Sequence, residues 1–310
     1  MTKTAAAASR RFFLQSGALA AGALAFSASA PGVEAAPAIQ RPFGARMKLS
    51  LAGYSYRKYM SGKNPTMTIM DFLDECAKLG LGASEPTSYY FPSALTTEFL
   101  LQFKRKAHLL GLDISGTAVG NTLTHPPGPE REKQIQMVKD WIDYSAIFGA
   151  PCIRIFAGSV SENAGKEQAI RWAVEATQQA CEYAAQKGVF LALENHGGIV
   201  SEPDDMLRII DGVQSEWFGV NFDSGNFHTE DPYQSLEKIA PYAVNAQIKV
   251  EMRPQGKDRE PADYDRLIGI LGEAGYRGYT ALEYEGSEEP KEAVPRHLEA
   301  MQKAIDKAGF

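Results

Sequence analysis

Val189-Phe190-Leu191-Ala192-Leu193-Glu194-Asn195-His196 is an apolar run that ends on a carboxylate. Phe218-Gly219-Val220-Asn221-Phe222-Asp223 and Tyr279-Thr280-Ala281-Leu282-Glu283 repeat the arrangement. Each reads as a short buried strand that delivers an acid at its carboxyl end. In an α/β barrel the strands run parallel, so those ends share the face on which such folds keep their active sites. Crowded carboxylates repel one another, and a hard divalent cation bound through oxygen is a common remedy. The three stretches together predict a metal-binding barrel.

Further strand-like runs fall at 48–53, 82–85, 112–118, 152–156 and 243–250, which with 189–194, 218–223 and 279–283 make eight. Helical patterns separate them. Ile69, Phe72, Leu73, Cys76 and Ala77 follow the i, i+3, i+4, i+7, i+8 stripe of a helix with one buried face, and Ile135, Val138, Ile142 and Ala146 behave likewise. Gly80, Gly111, Gly149, Gly188 and Gly275 each close such a pattern just before a strand, as glycine caps do. No Gly-x-Gly-x-x-Gly follows the first strand and no phosphate loop occurs, which disfavours an open doubly wound sheet. The expected fold class is α/β, a single (β/α)8 TIM barrel over residues 46–310. Stretches 54–66 and 120–130, the second rich in Pro and Gly, read as long loops at the same mouth.

Residues 1–35 read as a signal peptide. Ser9-Arg10-Arg11-Phe12-Phe13-Leu14 matches a twin-arginine motif, a small-residue apolar stretch follows to Ala30, and maturation is expected between residues 30 and 36. The stretch is too short and small-residued for a membrane span. Residues 36–45 then form a short linker. The twin-arginine machinery carries folded proteins, so it becomes an expected partner, and the expected location is periplasmic or extracytoplasmic. Loss of Lys3, Arg10, Arg11 and Glu34 leaves a chain more acidic than its formal charge of −6, with nothing basic to attract nucleic acid or anionic lipid. Cys76, Cys152 and Cys181 have no metal-type spacing and read as buried small hydrophobes.

A strand period of two places Glu194 with His196, Asn221 with Asp223, Gln247 with Lys249 and Glu251, and Ala281 with Glu283 and Glu285. A barrel interior is normally filled with branched apolar groups, so inward polar residues at four consecutive strand ends mark the opening of a site. Arg154 has either parity. Tyr54, Tyr56, Tyr59, Tyr89, Tyr90 and Phe91 are either sugar-packing faces at the mouth or loop anchors. His125, His228 and Glu85 lie near strand ends but are not expected to be catalytic.

The runs Leu-Glu-Asn-His-Gly-Gly, Asn-Phe-Asp-Ser-Gly-Asn, Gln-Ile-Lys-Val-Glu and Ala-Leu-Glu-Tyr-Glu resemble strands five to eight of the xylose isomerase-like barrel superfamily, in its sugar phosphate isomerase/epimerase branch. The resemblance implies one divalent metal held by Glu194, Asp223, Gln247 and Glu283, with Glu194 and Glu283 as the acid and base of proton transfer. Gln247 stands where the family more often has His. An amide oxygen in place of a ring nitrogen favours Mn²⁺ or Mg²⁺ over Zn²⁺. Gln247 alternatively stands behind a metal-bound water. Asn226, which replaces a His that often follows the ligand Asp by three residues, and Arg253 are implied substrate contacts; His196 and Lys249, inward by parity, are further candidates, with His196 alternatively structural and Lys249 and Arg253 alternatively ion-pair partners of Glu251 or Glu285.

The implied activity is isomerisation or epimerisation of a free or keto sugar through an enediolate. The same site could eliminate a β-substituent from a keto-sugar or glycoside as a lyase. A periplasmic sugar-binding barrel without turnover is a further alternative, disfavoured by the presence of both proton-transfer glutamates. An endonuclease-like relative would need a zinc-binding histidine cluster and a basic surface, and five histidines in an acidic chain disfavour it.

Overall fold

The computed structural model describes residues 36–160 and 164–310; the predicted signal peptide lies outside them. Strands β1 (Arg46–Leu51), β2 (Ala83–Ser84), β3 (Asp113–Ile114), β4 (Thr117–Ala118), β5 (Cys152–Ile155), β6 (Phe190–Glu194), β7 (Phe218–Asp223) and β8 (Ala243–Lys249) follow in order. A small antiparallel hairpin, β9 (Glu251–Met252) with β10 (Glu260–Pro261), then precedes β11 (Arg277–Glu283). Seven strands form one parallel sheet in the order β1-β11-β8-β7-β6-β5-β4, and β2 pairs with β3. Bridges Ala52↔Glu85 and Thr87↔Ala118 join the two sheets, with Glu85 N donating to Leu51 O at 2.9 Å. The ring thus closes with eight staves, the third broken into β3 and β4, as the sequence predicts apart from that break.

Helices α1 (Arg57–Met60), α2 (Ile69–Lys78), α3 (Thr97–Leu109), α4 (Pro129–Phe148), α5 (Lys166–Lys187), α6 (Pro203–Gly212), α7 (Pro232–Ile239), α8 (Tyr264–Glu273) and α9 (Pro290–Ala308) alternate with the strands. α2 starts with a capping box between Thr68 and Asp71 and buries Ile69, Phe72, Leu73 and Cys76. Ile135, Val138 and Ile142 of α4 are buried as the pattern requires, but Ala146 is exposed because the buried face turns to Ser145 and Phe148. The five predicted capping glycines all take positive φ, from 67° to 92°. Stretch 54–66 is not wholly loop, since it contains α1.

The linker residues lie against the amino-terminal end of the barrel: Ile39 N donates to Pro241 O, and Arg41 Nη2 to Ala243 O at 2.7 Å. All three cysteines are buried and free. No helix among the described residues is long and apolar enough to cross a membrane.

Candidate active site

The register of the sheet settles which side chains share the interior. Asn221 stands beside Asn245 and Asp223 beside Gln247, while Glu194 pairs with Asn221 and Glu283 with Lys249. Val220 and Phe222 point the other way and are fully buried beneath the helices. Glu194, Asp223 and Glu283 accordingly reach one mouth, 3 %, 0 % and 8 % exposed.

Beneath them is a closed ring of hydrogen bonds. Asn245 Nδ2 donates to Glu85 Oε2 (2.9 Å) and to Asn221 Oδ1 (2.8 Å). Asn221 Nδ2 donates to Gln247 Oε1 (2.6 Å), and Gln247 Nε2 donates back to Glu85 Oε1. The ring satisfies polar groups that would otherwise cost about 1–3 kcal/mol each when buried. Gln247 is therefore held by its oxygen to Asn221 and by its nitrogen to Glu85, with one oxygen lone pair left. Burial pushes the Glu85 carboxyl up to about 7 against the two amide donors that favour its charge. Glu85 is a component of the site's floor that the sequence does not reveal, because its partners lie 160 and 162 residues away.

Above the floor, two cations meet the carboxylates. Lys249 Nζ lies 3.0 Å from Glu283 Oε2, 3.3 Å from Asp223 Oδ2 and 3.1 Å from Glu285 Oε2. Gly225 makes room for it: a Cβ there would stand 2.6 Å from Lys249 Cδ. Arg154, inward and 6 % exposed, places Nε 2.8 Å from Glu194 Oε2 as an ion pair without an aligned hydrogen bond, while its Nη1 donates to Val119 O. Asn226 Nδ2 donates to Glu194 Oε1 at 2.7 Å. Asp223 Oδ1 accepts from Gly225 N, whereas Oδ2 is buried without any hydrogen-bond partner. Burial raises the Glu194 and Asp223 carboxyls, Asp223 strongly; for Glu283 burial, the largest single influence, also pushes upward, but the Lys249 ammonium with its hydrogen bond and the Arg154 guanidinium together lower it.

The other sequence-predicted residues separate. β6 ends at Glu194, so the alternation stops there: Asn195 is buried and clamps Asp223 through its backbone N and O, and His196 is exposed beside the Phe156 ring at 4.5 Å. His196 still lies near enough to Glu194 to favour its ionised form. Arg253 is exposed and lines a cavity of about 100 Å³ at the mouth with Asn226, Lys249 and Glu285. His228 Nδ1 contacts the Arg253 carbonyl rather than the carboxylates. Tyr56 and Phe91 are buried anchors, the latter packed on Phe103, Trp141 and Phe148, while Tyr89 stays 48 % exposed.

A hard divalent cation suits these donors on two observations. Four carboxylates, those of Glu194, Asp223, Glu283 and Glu285, face two cationic side chains, and buried Asp223 Oδ2 accepts no aligned hydrogen bond, its nearest cation being Lys249 Nζ at 3.3 Å. As the side chains stand, no group of three His, Cys, Asp or Glu among the described residues forms a ready cage, since the Lys249 ammonium lies between Asp223 and Glu283.

Barrel and mouth define an α/β protein of TIM-barrel type. Residues 73–304 match the xylose isomerase-like TIM barrel family, and the chain belongs to it. No curated protein matches it by sequence. Among solved structures it is similar to D-psicose 3-epimerase from Clostridium cellulolyticum H10 with D-tagatose (15 % identity, 84 % of this chain and 99 % of that one, TM-score 0.68). It is also similar to a xylose isomerase-like barrel protein of Mycobacterium smegmatis in complex with magnesium (20 %, 84 % and 97 %, 0.66). A third is 3-keto-D-glucoside 4-epimerase of E. coli (14 %, 83 % and 100 %, 0.63). At these identities the likeness establishes the fold.

Proposed function

We propose that the protein is a divalent-metal-dependent sugar isomerase or epimerase acting on a free or keto sugar, exported by the twin-arginine route. The observation that carries this reading is the cation-poor group of buried carboxylates at the mouth, in a family whose solved neighbours include two sugar epimerases and a magnesium complex. Glu194, Asp223 and Glu283 would hold the ion, with the free lone pair of Gln247 beside them, and Mn²⁺ or Mg²⁺ matches an all-oxygen set. When bound, the ion supplies a Lewis acid that stabilises negative charge developing on a substrate oxygen.

The reaction begins with removal of a proton from a carbon next to a carbonyl. Glu194 on β6 and Glu283 on β11, separated in the sheet by β7 and β8, serve as base and acid. Asn226 and Arg154 fix the two oxygens of Glu194, so its carboxylate meets the substrate in one orientation. Lys249 holds Glu283 ionised and ready to take the proton. His196 and Arg253 at the rim contact sugar hydroxyls. Return of the proton to the opposite face of the same carbon gives the epimer; return to the neighbouring carbon gives the isomer; loss of a β-substituent gives elimination.

Incubation of the metal-loaded protein with aldoses, ketoses and 3-keto-glycosides in deuterated water tests the reading by NMR. Deuterium entering a carbon-bound position of at least one sugar is the expected result. No exchange in any of them would favour the binding-protein alternative.

A further inference from the structure

The end of the barrel opposite the mouth carries a cavity of its own. Its volume is about 380 Å³, and its lining is Arg46 and Lys48 of β1 with Arg277, Gly278 and Tyr279 of β11. Small-molecule sites occupy on the order of 300–1,000 Å³. Glu283 stands at the far end of β11, roughly 20 Å of strand away. Alternation puts Arg277, Tyr279 and Ala281 on the inward face with Glu283, and the parallel register sets Arg46 beside Arg277, Lys48 beside Tyr279 and Ser50 beside Ala281. The three cations therefore face the lower opening of the barrel.

Two of them are set against each other. Neighbouring strands lie about 4.8 Å apart, so Arg46 and Arg277, as register partners, repel. Neither has a carboxylate partner among the described residues, and the guanidinium groups make one long contact, from Arg277 Nη1 to Gly44 O at 3.5 Å. The carboxylate at this opening is Asp113, which accepts from the Tyr279 hydroxyl and lies 3.8 Å from Lys48 Nζ. That ammonium stands 4.1 Å from the centre of the Tyr279 ring, a cation–π contact that fixes it at the cavity wall. Three cations against one carboxylate leave two positive charges in excess. The amino-terminal face of a barrel ordinarily serves stability, and a like-charged pair works against that unless an anion lies between its members.

We infer that this opening is an anion site that takes a phosphate dianion, free or as a small monoester. Guanidinium forks match phosphate oxygens in pairs, and Lys48 adds a point charge. The cavity has room for a small group attached to the phosphate. Bound there, the anion ties β1 to β11, the first and last strands of the ring. The acidity of the chain as a whole hides this site, because Arg46 and Lys48 open the barrel sequence and Arg277 begins its last strand.

Titration calorimetry with inorganic phosphate and with glycerol 3-phosphate, at constant ionic strength and at an alkaline pH that keeps both as dianions, tests the site. At least one of them should bind saturably with a Kd of about 1 mM or below, and the tighter of the two shows whether the anion is free or esterified. Arg46→Gln and Arg277→Gln should each weaken that binding about 10-fold or more, the loss of one charged partner. Arg171→Gln, which removes an exposed cation from α5, should leave it within about 2-fold. No saturable binding of either ligand, or binding that survives both substitutions at the opening and therefore belongs elsewhere on the protein, would overturn the site.

Discussion

Lys249→Met removes the ammonium that lies within 3.0–3.3 Å of three carboxylate oxygens. At an effective dielectric of about 20, each such contact corresponds to roughly 5 kcal/mol of Coulomb attraction, offset by the cost of desolvating both partners. Glu285 is about one-third exposed and screened, so Asp223 and Glu283 carry most of the effect. Deleting one partner of a buried pair costs about 3–5 kcal/mol, because the remaining charge stays buried and uncompensated. In a barrel of this size that lowers the melting temperature of metal-free protein by roughly 6–20 °C. If a divalent ion binds the same carboxylates, it replaces the lost positive charge. The deficit should then shrink by at least about 1.4 kcal/mol with Mn²⁺ present, and by the thermodynamic cycle the variant should bind Mn²⁺ about 10-fold more tightly than the parent. Thermal unfolding with and without Mn²⁺, alongside Mn²⁺ titration, reads both quantities. A loss of stability that is the same with and without the ion would refute the shared-charge argument.

Glu283→Gln keeps the size of the side chain but cannot accept the proton, so substrate-dependent deuterium exchange should fall by at least about 10²-fold while the protein still folds; exchange at the parental rate, with metal occupancy confirmed, would leave Glu283 as a ligand only. Burial raises the Glu85 carboxyl from 4.5 to about 7, so in that window the folded metal-free protein holds a proton that the unfolded chain has released, and stability falls as pH rises from about 4.5 to 7. Glu85→Gln should flatten this part of the urea-midpoint profile, and an unchanged slope would show that Glu85 does not titrate there. Changing Arg10 and Arg11 together to Lys should retain the folded precursor in the cytoplasm; undiminished mature protein outside the inner membrane, seen by fractionation, would refute the export assignment.

The carboxylate-bearing strands were legible because burial on both faces leaves short apolar runs, and a parallel barrel requires their ends to meet. β7 occupies the predicted 218–223, and β8 stops one residue short of its predicted end. Parity succeeded where the strand continued, as for Asn221 with Asp223 and Gln247 with Lys249. It failed at His196, because β6 stops at Glu194 and the turn through Asn195 follows no period of two. Arg154 could not be oriented from a four-residue strand with apolar residues on both sides, and its inward position depends on Glu194 from the next strand. Glu85 sits at the end of a two-residue strand, too short to show any pattern, and its inclusion in the ring depends on Asn245 and Gln247. The aromatic segments divided for the same reason: Phe91 and Tyr89 are two residues apart, and only tertiary packing sends one into the core and leaves the other half-exposed.

The proposed proton transfer to and from a sugar needs a divalent ion at Glu194, Asp223 and Glu283. The direct measurement is deuterium incorporation into the best substrate of the panel after exhaustive chelation and again after adding Mn²⁺ or Mg²⁺ back. Exchange abolished by chelation and restored by about one equivalent of ion is the predicted result. Full exchange in protein shown by elemental analysis to be metal-free would contradict it.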